Sequence, residues 1–164
     1  MSALYPAARQ GFLTGAIDAD TAVIKAALVR GYTYGAGHVY MSDVTGAGGV
    51  VAATATLTTI TTTSGVLDSA DLNFGAVAAN GNNHIVIVYQ ASAVGGGADV
   101  AASAQRLIAY IDSGGACVPT GAVVTLAVRG LAERPVRIHR GGRGDREQLL
   151  RDDVAQDRRV RLIE

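Results

Sequence analysis

The sequence predicts an all-β fold: an antiparallel β-sandwich or jelly roll of about seven strands, with a short N-terminal helix and an Arg-rich C-terminal extension. Three observations carry this. Ile85-Val86-Ile87-Val88-Tyr89 and Leu107-Ile108-Ala109-Tyr110-Ile111 are strand-length apolar runs, rich in β-branched and aromatic residues and bounded by polar or glycine-rich stretches. In the first run, Ile85, Ile87 and Tyr89 point one way and Val86 and Val88 the other, so both faces are apolar and suit a strand covered on both sides. Turn-forming clusters recur between further short runs that favour strands, as in a sandwich.

Taken in order, residues 4–15 read as a helix. Pro6 suits its first turn, where a missing N–H costs nothing; Ala8 and Phe12 share a face; Gly15 is placed to end it. Residues 21–29 fit either a strand lined by Ile24, Ala26 and Leu28 or a helix with an alanine stripe. The preceding Asp18-Ala19-Asp20 turn and the following Gly31 favour the strand. Residues 31–49 read as a loop with Tyr32, Tyr34, His38 and Tyr40 set among glycines. Residues 50–64 follow as one long strand bent near Ile60, or two in sequence. Seven of the ten residues from Thr54 to Thr63 are threonine, whose stiff side chain favours strands.

Leu67-Asp68-Ser69-Ala70-Asp71 reads as a polar turn into a strand at 72–77, and Asn80-Gly81 as a tight hairpin turn. The two central runs come next, expected to be antiparallel neighbours joined by a flexible loop through Gly95-Gly96-Gly97. Ser113-Gly114-Gly115 precedes a last strand at 122–128, with Val124, Leu126 and Val128 on one side. These boundaries give a β domain over residues 1–128 and an extension over 129–164.

The totals narrow the functional classes. With no Trp, two Phe and much of the apolar share in alanine, the core is thin, and a thin core in a small domain suits oligomerisation or docking. The zero net charge offers no global attraction to nucleic acid or to an anionic membrane, and no run is long enough to span one. The zero hides an asymmetry. Residues 1–128 hold four basic and seven acidic side chains, whereas residues 129–164 hold ten arginines and seven acids. Two origins fit that extension: a true one carrying a polar helix with Leu149, Leu150 and Val154 as its apolar stripe, or a shifted frame in a GC-rich gene.

Candidate chemistry is sparse. His38, His84 and His139 sit in separate segments without metal-ligand spacing, and the single Cys117 has no evident activating neighbour. The glycine clusters lack the pattern of a phosphate loop and read as turns. Asp18, Asp20, Asp68 and Asp71 are too widely spaced for a calcium loop and read as turn caps. Arg143-Gly144-Asp145 matches an integrin-recognition tripeptide, but three residues match easily by chance. The arginines could meet phosphates, yet seven interspersed carboxylates and the lack of any aromatic stacking group speak against nucleic acid. No catalytic residue, cofactor or metal is expected.

Residues 3–128 resemble a family of small virion proteins of tailed bacteriophages and prophages. The likeness lies in an ordered set: Leu4-Tyr5-Pro6-Ala7-Ala8-Arg9, Phe12-Leu13-Thr14-Gly15, Ile17-Asp18-Ala19-Asp20-Thr21 and Ile24-Lys25-Ala26-Ala27-Leu28-Val29. It continues in Val51-Ala52-Ala53-Thr54, Gly65-Val66-Leu67-Asp68-Ser69-Ala70-Asp71, Ile87-Val88-Tyr89 and Arg106-Leu107-Ile108-Ala109-Tyr110-Ile111-Asp112. Similar proteins end soon after the last strand; here the Arg-rich extension replaces that ending. The resemblance implies a non-enzymatic structural protein of the virion. The expected role is capsid decoration or cement, present as a homo-oligomer or in many copies and binding the major capsid protein. A tail or head–tail connector component, with tail proteins as partners, is the first alternative. A carbohydrate-binding sandwich stacking sugars on Tyr32, Tyr34 and Tyr40 is the second.

Overall fold

The computed structural model describes residues 2–63, 66–79, 81–112, 119–126 and 138–139, with Thr63, Ile138 and His139 described through their backbone alone. The chain opens with β1 (Ala3–Leu4) and α1 (Pro6–Thr14), then runs through β2 (Ile24–Arg30), α2 (Met41–Gly46), β3 (Val50–Thr56), β4 (Thr61–Thr63), β5 (Val66–Asp68) and β6 (Leu72–Ala76). It continues with β7 (Ile85–Gln90), β8 (Ser92–Ala93), β9 (Gly96–Asp99), β10 (Arg106–Asp112), β11 (Val123–Leu126) and β12 (Ile138–His139). The fold is all-β and antiparallel, with the predicted helix near its N-terminus.

The main sheet has the order β1-β10-β7-β2-β3, and every neighbouring pair is antiparallel. The two central runs are neighbours as expected, Ile87 lying opposite Tyr110, with a bulge between Leu107 and Ala109. On the other side of β7, Ala27 lies opposite Ile87 and Ala26 opposite Val88. All six β7 residues are buried, so the two-sided apolar pattern does mark a strand covered on both faces. A second sheet, β12-β11-β6, sends Leu72, Phe74 and Leu126 into the same core. Its β12 lies beyond residue 128 in the sequence, and Ile138 pairs with Leu126.

The N-terminal helix follows its sequence signals. Pro6 occupies the first turn, and Gly15 ends the helix at φ 71°, a left-handed conformation that costs glycine little. Its buried residues are Ala8 and Gly11, while Phe12, one turn after Ala8 on the same face, is 38% exposed. The strand reading of residues 21–29 holds, with Ala26, Ala27, Leu28 and Val29 all buried in β2.

Three local expectations need correction. The loop at residues 31–49 contains α2, because the Asp43 carboxylate reaches back to accept the N–H groups of Val39 and Tyr40 and so caps a short helix. The Thr-rich segment, by contrast, takes the second of its two expected forms, two strands in sequence, and the break falls where Thr59 adopts φ 54°, a costly conformation for a β-branched residue. Residues 66–68, expected within a turn, form β5 against β4. The turn around Gly81 joins strands of different sheets, since β6 pairs with β11 and β7 with β2 and β10. The Gly95-Gly96-Gly97 linker also differs from the flexible loop expected: Gly96 opens β9, which folds onto β8. A Cβ on Gly96 would sit 2.8 Å from the Thr21 carbonyl oxygen, so the backbone approach requires glycine.

Candidate interaction surface

Tyr32, Tyr34 and Tyr40 leave the turn after β2 close together in sequence, but the structure separates their roles. Tyr32 is only 3% exposed, and its hydroxyl is the middle of a chain of polar groups. It shares a hydrogen bond with the Tyr5 hydroxyl at 2.9 Å and another with His38 Nδ1 at 2.7 Å. Tyr34 lies over Tyr5 and Tyr110, with ring centroids 5.2 and 5.4 Å apart, and Tyr32 lies 6.0 Å from Tyr110. The result is a tilted aromatic cluster that ties the N-terminus and the 31–40 loop to β10. Burial, reinforced by the Tyr32 hydrogen bond, pushes the Tyr5 phenol far above its ordinary value, so it remains neutral.

Tyr40 stands apart, with the Arg106 guanidinium 5.6 Å above its ring. The three tyrosines therefore form no common exposed stacking platform, and Tyr32 offers no ring face to solvent.

Asp18, Asp20, Asp43 and Asp68 also hold local structure. Asp18 accepts the Asp20 N–H at 2.9 Å and the Thr21 hydroxyl at 2.7 Å, and these bonds, Thr21 first, hold its carboxyl below the usual range. Asp20 accepts the Thr62 hydroxyl and so ties this turn to β4. Asp68 caps its own turn through the Ser69 N–H. Asp43 is likewise held low, by the Tyr40 N–H and then by that of Val39. Among the described residues, no three His, Cys, Asp or Glu side chains gather as metal ligands, and no helix is long and apolar enough to cross a membrane. Cys117, Arg143-Gly144-Asp145 and the Leu149, Leu150 and Val154 stripe lie outside the described residues, as does the side chain of His139.

Among the described residues, Phe12, Leu13, Val50, Val51, Val94 and Val123 are the large apolar side chains exposed to solvent. Leu13, in the last turn of α1, is 88% exposed. Near the end of the same helix lies an open groove of about 320 Å³, lined by Phe12, Gly15, Ile17, Asp18, Ala19, Asp20 and Thr62, and Leu13 itself is not part of that lining. The sequence signal for this patch is the adjacent apolar pair Phe12-Leu13 at the end of the helix, both of which are exposed. Comparison of the chain with family models, curated proteins and solved structures found no match.

Proposed function

We propose that the protein is a non-enzymatic structural component of a tailed-phage virion, acting as a capsid decoration or cement protein through many weak, repeated contacts. The observation that carries this reading is the contrast between its inside and its outside. The Tyr5–Tyr32–His38 chain and the Asp18 and Asp43 carboxylates are spent on holding loops in place, while Leu13 and the neighbouring groove lie open. Polar groups committed to structure are not available for turnover, whereas an exposed apolar side chain beside a groove suits recognition. The ordered motifs over residues 3–128 supply the virion context. Single contacts of this size are weak, and repetition over a shell converts them into tight retention.

The test is to add purified protein to phage heads that lack it and to count bound copies by quantitative mass spectrometry. Saturable binding to heads is expected. Binding to tails alone would favour the connector or tail role, and binding to neither would refute the structural reading.

A further inference from the structure

We propose that the outward face of α1 and the adjacent groove form a two-fold self-association site, in which Leu13 of each copy enters the groove of the other and Arg9 of each meets the other's Asp20. This deepens the structural reading by naming a partner, a second copy of this chain. It is tested on the isolated protein, so self-association and particle binding can fail separately.

Three features of the patch support it. The first is shape. A two-fold interface needs the same surface to carry both a projection and the recess that receives it. Leu13 is the most exposed of the large apolar side chains described, and the groove at the end of the same helix, at about 320 Å³, has room for a leucine side chain. Phe12, Ile17 and Ala19 supply its apolar lining, and Asp18, Asp20 and Thr62 its polar part.

The second is charge. Arg9 precedes Leu13 by four residues and therefore rises from the same side of α1. Lys25 is already paired with Asp99, and Arg106 lies over Tyr40, but Arg9 makes no ion pair among the described residues. Asp18 and Asp20 both line the groove. In the proposed dimer each copy's Arg9 is set against the Asp20 at the rim of the other copy's groove, so that opposite charges meet across the two-fold axis. The pairing thus favours this register over a shifted one.

The third is the source of the match. The patch carries its own complement, so a second copy supplies knob, recess and both charges without further assumption. The neutral chain as a whole places no long-range repulsion between copies.

Sedimentation velocity and light scattering on the full-length protein provide the test. The wild type is expected to dimerise reversibly at micromolar concentrations, below about 100 µM. Leu13→Asp removes the knob at a position that is almost fully exposed in the single chain. It should therefore fold, as far-UV circular dichroism will report, and weaken dimerisation at least roughly tenfold. Arg9→Asp and Asp20→Arg should each weaken it, and the double variant Arg9→Asp/Asp20→Arg should recover most of the loss by reversing the pair. Should Asp20→Arg disturb its own turn, Leu13→Asp and Arg9→Asp still decide the matter. A wild type that stays monomeric up to about 100 µM, or a dimer indifferent to Leu13→Asp, overturns the proposal. Failure of the charge swap to recover any binding overturns the register.

Discussion

The hydrogen-bonded chain Tyr5–Tyr32–His38 makes a quantitative prediction, because its middle and end members are not equivalent. Tyr5→Phe deletes one bond at the end of the chain and leaves Tyr32 joined to His38. With a net value near 1 kcal/mol for such a bond, Tyr5→Phe should cost about 1 kcal/mol. Tyr32→Phe deletes both bonds and strands the Tyr5 hydroxyl, which is fully buried and has no other hydrogen bond among the described residues. A stranded buried hydroxyl costs ~1–3 kcal/mol, so Tyr32→Phe should lose about 2–3 kcal/mol in total. The Tyr5–Tyr32 bond can be lost only once. The double variant should therefore be more stable than the sum of the single losses implies, by about 1 kcal/mol. Urea unfolding followed by far-UV circular dichroism measures all four proteins, and an unchanged slope confirms that only stability has moved. Strict additivity, or a Tyr5→Phe loss equal to that of Tyr32→Phe, would refute the chain as drawn.

Four further outcomes are expected. Ile87→Asp should abolish folding by placing an unpaired charge in the centre of β7, whereas Ile87→Ala should fold with a loss of about 2–5 kcal/mol; soluble yield and urea midpoints distinguish them. Thr59→Gly should raise stability by roughly 0.5–1 kcal/mol, because relief of a left-handed threonine outweighs the added freedom of the unfolded chain; a lower midpoint would contradict the strain. Burial, with a smaller contribution from Asp99, pushes the Tyr89 phenol up to about 12, and Tyr5 is raised further still. The folded state then holds protons that the unfolded state releases from about pH 10. Stability is thus complete below that point and lost as pH rises through about 12, which melting curves at pH 9 and 11 and phenolate absorbance will register. Truncation after Val128 removes β12 but no strand of the five-stranded sheet, so the shortened chain should keep its cooperative transition; loss of that transition would place essential contacts in the extension.

The centre of the fold is legible in the sequence because its information is local. Ile85 to Tyr89 are apolar at every position, and that pattern alone fixes a strand buried on both sides. Pro6 and Gly15 mark the ends of α1 for the same reason. The short α2 escapes notice because Met41 to Gly46 include valine, threonine and glycine, poor helix formers, and the helix depends on Asp43 as its cap. Turn residues announce a reversal without naming its partner, so the signal at Gly81 does not reveal that the chain passes from one sheet to the other. The tyrosine cluster is the least legible part. Tyr5, Tyr32 and Tyr110 are far apart in the chain and meet only after β10 lies in register, so spacing alone favours reading Tyr32 and Tyr34 as exposed rings. The Leu13 patch fails for the converse reason: how far Phe12 and Leu13 are covered depends on what α1 packs against, which is not written in the helix itself.

The placement of β1 beside β10 also governs how the chain can be made. The Tyr5 N–H donates to the Ile108 carbonyl, and Ala3 lies opposite Tyr110, so β1 is synthesised and then waits for a partner strand about a hundred residues later. During that interval β2 can pair with β3, but its other edge, meant for β7, stays open, with Ala26, Ala27 and Leu28 lacking their cover. A nascent chain in that state displays an apolar strand edge, the feature that recruits other unfinished chains or a chaperone. Slowing translation before residue 112 should therefore increase aggregation, and supplying the β7–β10 segment early, by circular permutation, should relieve it.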